Sequence, residues 1–165
     1  MMILFSVAAA VAIVSTVMSI TRLDAVHALL YLIVSLLSVA VIFYLLGAPF
    51  VALLEVIIYA GAIMVLFIFT VMMLNLGKVT WEQESRWLKP KMWIGPAILA
   101  AILIMEMAYV LSGLNAEGTA TVVSPKSFAR SLFGPYLLAV ELASILLMSG
   151  LVGAFHLGSD WKERK

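Results

Sequence analysis

Residues 50–74 read FVALLEVIIYAGAIMVLFIFTVMML, and this run decides the fold. Its 25 residues include one charged side chain, Glu55, and no proline. An α-helix rises about 1.5 Å per residue, so about 20 apolar residues cross the roughly 30 Å hydrocarbon core of a bilayer. The run is therefore long enough to span a membrane with length left for tilt or distortion. The short alternating segments of an outer-membrane barrel are absent from it.

Four further apolar runs flank it, at 1–20, 27–46, 93–112 and 132–157. Together they predict an all-α, polytopic membrane protein with five transmembrane helices, a single membrane domain over residues 1–165. Composition agrees, because 65% of the 165 residues are hydrophobic and 12% are charged. Soluble domains average about 45–50% and about 25%, and a water-soluble fold this small could not bury so much apolar surface. The Ala-rich stretch at 8–10 imitates the end of a signal peptide. Residues 1–5 carry no Lys or Arg, however, and the run exceeds a usual signal core, so a retained span is expected.

The cations set an orientation. Arg22, Lys78, Arg86, Lys89, Lys91, Lys162, Arg164 and Lys165 follow spans one, three and five, whereas only Lys126 and Arg130 lie on the other side. The positive-inside rule then predicts a periplasmic N-terminus and a cytoplasmic C-terminus. Gly47, Ala48 and Pro49 predict a tight turn that makes spans two and three antiparallel neighbours. Asp24 is placed to cap the second helix. The segment GKVTWEQESRWLKP at 77–90, with Trp81 and Trp87, reads as an interfacial stretch on the cytoplasmic surface, and 115–131 as a polar outer loop. Gly95-Pro96 and Gly134-Pro135 fall near span beginnings, where proline loses least.

Several chemistries are excluded. The chain has no Cys and two His, which removes thiolate chemistry, disulfides, iron–sulfur ligation and a conventional zinc site. A formal charge of +1 gives no basic excess for nucleic acid, and no glycine-rich phosphate loop is present. His27 and His156 lie near the cytoplasmic interface and form no site. The remaining partners are lipid, protons or other ions, quinone-like molecules and other membrane proteins.

Three carboxylates lie inside the spans: Glu55, Glu106 and Glu141. Burying each in lipid costs roughly 2.5 kcal/mol or more, and no Lys or Arg within the spans can neutralise them. Each must be protonated, face a polar cavity or meet a partner from another subunit. Glu55 stands one helical turn before Tyr59, a pair able to hold a proton or a water; snorkelling to the outer headgroups or a bond to a neighbouring helix is the competing reading. Ala60, Gly61 and Ala62 form a small-residue patch suited either to close packing or to a bend or π-bulge. Glu141 falls near the middle of span five, where an interhelical hydrogen bond and a transport role both fit. Glu106, with Tyr109 on its face, reads first as an outer-interface contact and only then as a weaker member of a proton path. Gly150 and Ala154 form a small-xxx-small packing pair.

Four blocks carry a family resemblance: DAVHALLYLIVSLL at 24–37, LEVIIYAGAIMVLFIFTVMMLNL at 54–76, WLKPKMWIGPAILA at 87–100 and LFGPYLLAVELASILL at 132–147. In this order they resemble the subunit J family of bacterial proton-translocating NADH–quinone oxidoreductase, respiratory complex I, over nearly the whole chain. The resemblance implies a membrane-arm subunit near the junction with the hydrophilic arm, in the bacterial inner membrane. It implies a π-bulge at Tyr59-Ala60-Gly61, whose change to α form opens or closes a water path. Glu55, Tyr59 and Glu141 match polar positions of the family; Glu106 has no such counterpart. No cofactor is implied in this chain, and FMN, iron–sulfur clusters, NADH and quinone are expected in partner subunits. Other membrane and junction subunits of the complex are the implied partners, and the chain is not expected to work as a monomer. A stand-alone ion or proton transporter and a purely structural membrane adaptor are the rival readings of the three carboxylates.

Overall fold

The computed structural model describes residues 1–73, 90–112 and 122–163. The proposed interfacial stretch through residue 89, and the part of the outer loop up to residue 121, lie outside the described residues. Among the described residues, five helices are long and apolar enough to cross a membrane. The chain divides into two compact units, Met1–Val123 and Ser124–Lys165.

In the first unit, α1 (Met2–Thr21) and α2 (Ala25–Leu45) form an antiparallel pair. A carboxylate oxygen of Asp24 accepts from the Val26 N–H at 3.1 Å, so the cap read from the sequence is present, and it starts α2 at Ala25 rather than at residue 27. Hydroxyls then stitch the two apolar faces together. Ser19 Oγ donates to the Ala28 carbonyl at 2.8 Å, Ser35 Oγ to the Ala12 carbonyl at 3.3 Å, and Ser38 Oγ to the Ala8 carbonyl at 2.5 Å. Thr16 and Ser35 share a hydroxyl–hydroxyl bond of 2.7 Å. Small hydroxylated residues allow close backbone approach and supply the bonds that lipid cannot.

The third span follows the turn at Gly47, whose φ of 84° is left-handed. It comprises α3 (Pro49–Leu54), a π-wound segment (Glu55–Ile63) and α4 (Met64–Met73). All three pieces pack on α2. The fourth span, α5 (Pro90–Leu111), packs on both α1 and α2. Helix α2 is therefore the centre of the unit, and the core comprises Ala8, Val11, Val34, Val41, Leu45 and Leu103. Pro96 lies inside α5, not at its start, because the helix begins at Pro90, where a proline at the first position costs nothing.

The second unit corrects the sequence reading of span five. Residues 125–132 were expected to be loop and the beginning of a span; they form a separate short helix, α6 (Pro125–Leu132). The signal lies in Ser124-Pro125: the Ser124 Oγ accepts from the Ser127 N–H at 3.2 Å, and proline occupies the first turn. A turn over residues 133–136 ends α6, and the long helix α7 (Leu137–Glu163) begins five residues later than the apolar run suggests. The backbone at Gly134 comes so close to the Arg130 carbonyl that a β-carbon there would stand 2.7 Å from its oxygen. Pro135 lacks the N–H needed to continue α6.

Candidate functional site

The third span enters its π-wound segment gradually. The Glu55 N–H still reaches the carbonyls of Val51 and Ala52, three or four residues back. At the far end the Met64 N–H reaches the Tyr59 carbonyl, five residues back, which is the π pattern. Glu55, Tyr59, Ala60 and Gly61 all lie between these points.

Each occupies a different environment. Glu55 is half-buried, whereas Tyr59 is 49% exposed to whatever surrounds the chain. Ala60 and Gly61 are half-buried, in a segment that packs on α2. Gly61 has a local reason to be glycine. A β-carbon there would lie 3.1 Å from the carbonyl oxygen of Val56, five residues back, which is tighter than ordinary contact. No hydrogen bond joins Glu55 to Tyr59 among the described residues, so the helical spacing brings the two near without making them a bonded pair.

Glu106, read from its position first as an outer-interface contact, is buried within the chain. It is 5% exposed, and neither carboxylate oxygen has a hydrogen-bond partner among the described residues. Its place in the stripe explains this. Leu99, Leu103 and Val110 pack with the core, and Glu106 falls on the same i, i+4, i+7, i+11 face. Glu141 is the fifth residue of α7, one turn inside its start instead of mid-span, because α7 begins at Leu137. Its backbone carbonyl accepts from Ser144 Oγ at 2.8 Å.

The opposite end of the first unit holds a cluster that the sequence reading did not assemble. The Arg22 guanidinium lies 5.4 Å from the centroid of the Tyr31 ring, His27 stacks on the same ring with centroids 6.2 Å apart, and His27 Nδ1 is 3.8 Å from Asp24 Oδ2. Tyr31 is buried, and its hydroxyl abuts Gly95 of α5 so closely that a β-carbon would overlap it. The i, i+4 spacing of His27 and Tyr31 was the available signal. The hydroxyl seam between α1 and α2 was also missed; Thr16, Ser19, Ser35 and Ser38 inside apolar runs announced it. No group of three His, Asp or Glu side chains that could hold a metal occurs among the described residues.

Comparison with known proteins adds independent information. The family described as NADH-ubiquinone/plastoquinone oxidoreductase chain 6 matches residues 15–157 of this chain. NADH-quinone oxidoreductase subunit J of Escherichia coli (strain K12) is 55% identical over 157 residues, covering 94% of this chain and 85% of the relative. The protein of the same description from Pseudomonas aeruginosa is 54% identical over 156 residues, covering 93% and 94%. That of Buchnera aphidicola subsp. Schizaphis graminum is 48% identical over 153 residues, covering 92% and 94%.

Proposed function

The chain belongs to the NADH-ubiquinone/plastoquinone oxidoreductase chain 6 family, and from that premise we propose that its third span is the movable element coupling quinone reduction in partner subunits to proton movement across the membrane. The chain is a multi-pass membrane-arm subunit of respiratory complex I, homologous to a bacterial inner-membrane subunit. With no Cys and no phosphate loop, it contributes coupling and not redox chemistry. Flavin, iron–sulfur clusters, nicotinamide and quinone belong to the partner subunits.

One observation carries the reading: the nine-residue π segment from Glu55 to Ile63 contains the tyrosine, the glycine and the carboxylate singled out in the span. Runs of π winding are rare and recur at working sites. A change from π to α winding alters how many residues occupy a turn. Each residue gained or lost rotates α4 against α3 by about 100° and slides it by about 1.5 Å. Glu55 stands at the first position of the segment and Tyr59 at its middle, so the exposure of both follows the winding. The α1–α2 pair, held by its hydroxyl seam, is the frame against which the third span moves. Glu141, near the start of α7, is a second polar position in this coupling.

The same reading places the N-terminus in the periplasm and the C-terminus in the cytoplasm, supported by the eight-to-two distribution of Lys and Arg. Residues 1–165 act as one membrane domain within an assembly of other membrane and junction subunits.

The test is Gly61→Val in the intact complex, reconstituted in vesicles, with protons moved per electron as the readout. The expected result is retained NADH–quinone electron transfer with a lowered proton ratio. An assembled Gly61→Val complex that pumps at the full ratio would sink the hinge.

A further inference from the structure

We propose that Glu106 is a second proton-binding site, enclosed by α1, α2 and α5, which holds its proton as a neutral carboxylic acid and exchanges it during turnover. The site lies on a helix other than the π-wound one.

The geometry points to this in three steps. First, the carboxyl group is enclosed by the chain itself. Glu106 is 5% exposed within this chain alone, and both oxygens are sealed from the surface. Second, among the described residues of α1, α2 and α5 no side-chain cation lies beside it. The core faces of α1 and α2 contribute Ala8, Val11, Val41 and Leu45, and the hydroxyls of Ser15 and Ser38 buried on the same helices carry no charge. Neither helix contains a Lys or Arg, and His27 lies at the far end of α2. Within α5 the other charged residue is Lys91, 15 positions away, or about 22 Å along the helix. A carboxylate placed here would be an unpaired charge in an apolar core; the neutral acid is the form the site admits.

Third, the enclosure is closed but not sewn shut at this depth. The hydroxyl bonds between the described residues of α1 and α2 run from Ser19 to Ser38 and involve those two helices alone. Helix α5 meets the pair through apolar packing and through the Tyr31–Gly95 contact, which lies 11 residues from Glu106. A small shift of α5 at its Leu111 end would open the carboxyl group to water while the Gly95 end stays anchored. The proton would leave as hydronium by that opening and return by it, with no other bond made or broken. An apolar residue at this position of the stripe would pack α5 equally well and could do none of this.

Residence of a proton on Glu106 stands on this geometry alone, whereas its part in pumping rests on the coupling role of the third span. The test uses the whole complex reconstituted in vesicles, with NADH-driven infrared difference spectra and protons per electron measured on the same samples. Wild type is expected to show a redox-linked carbonyl band of a protonated carboxylic acid that is lost in Glu106→Gln and displaced in Glu106→Asp. Glu106→Gln is expected to assemble, to transfer electrons and to pump fewer protons per electron. Identical difference bands in wild type and Glu106→Gln would overturn the proposal, as would a Glu106→Leu complex that pumps at the full ratio. Failure of Glu106→Gln to assemble would also overturn it, because glutamine is the isostere of the neutral acid. A hinge failure at Gly61→Val leaves the band assignment standing, so the two ideas fail separately.

Discussion

The carbonyl oxygen of Val56 stands 3.1 Å from the place a β-carbon on Gly61 would occupy. Winding that brings a carbonyl this close to the residue five positions on tolerates glycine best. Gly61→Ala adds the smallest possible group and requires the carbonyl to give by a few tenths of an ångström. The expected result is a graded series: wild type, Ala and Val complexes with successively lower protons per electron at similar electron-transfer rates. Overpacking of about 1–3 kcal/mol is enough to shift a two-state winding equilibrium by about 5- to 150-fold. A flat series would separate the glycine from the winding.

Gly47 makes a different demand. Its φ of 84° ends α2, and its carbonyl accepts from the Val123 N–H at 2.8 Å. An L residue in the left-handed region costs about 1–2 kcal/mol, with asparagine the best tolerated substitute. Gly47→Ala is expected to lower the thermal midpoint of the detergent-solubilised complex, and Gly47→Asn to recover part of the loss.

Tyr31 and Gly95 form a close contact between α2 and α5. A β-carbon on residue 95 would overlap the tyrosine hydroxyl and lie 3.1 Å from the ring carbon that bears it. Gly95→Ala is expected to destabilise by about 1–3 kcal/mol. Adding Tyr31→Phe removes the oxygen and leaves the ring carbon, so the pair should recover part of the cost. Thermal unfolding of the single and double variants gives the coupling energy directly, and simple additivity would contradict the contact.

The extent to which the sequence disclosed this arrangement follows from what each feature depends on. Span number and approximate extent are properties of length and apolarity, and the runs around Glu55 or Ser38 could be read without neighbours. The Asp24 cap is equally local. Glu106 could not be placed, because its burial depends on which faces α1 and α2 present to α5, and a stripe of Leu99, Leu103 and Val110 announces a buried face without naming its partners. The Arg22–Tyr31 contact crosses the bend between two helices and escapes any periodicity. The start of α7 was misplaced for a subtler reason. Apolar residues continue through Phe133 and Tyr136, so hydropathy ran past a turn that Ser124-Pro125 and Gly134-Pro135 had marked.

The seam at Ser38 offers a quantitative check on the frame. Its hydroxyl is fully buried and donates to the Ala8 carbonyl across the α1–α2 interface. Hydrogen bonds between membrane helices average about 0.6 kcal/mol, with about 1.7 at the upper end. Ser38→Ala should therefore weaken the complex by about this amount, and pumping per electron should hold if the pair is frame and not mover. A lowered proton ratio in an otherwise stable Ser38→Ala complex would shift motion into α1 and α2.

Orientation can be tested because the chain has no Cys, so single cysteines report position without background from this subunit. Leu23, fully exposed between α1 and α2, lies on the side assigned to the cytoplasm, whereas the exposed Ser131 of α6 lies on the side assigned to the periplasm. With a periplasmic N-terminus, a membrane-impermeant thiol reagent should label Ser131→Cys in intact cells. Leu23→Cys should react only after the inner membrane is opened. The cation distribution predicts this pattern, since Arg22 is beside Leu23 and seven further Lys and Arg follow the same side. The reverse pattern would invert the topology and place Glu55 and Glu106, each within about 9 Å of its helix end, toward the cytoplasm.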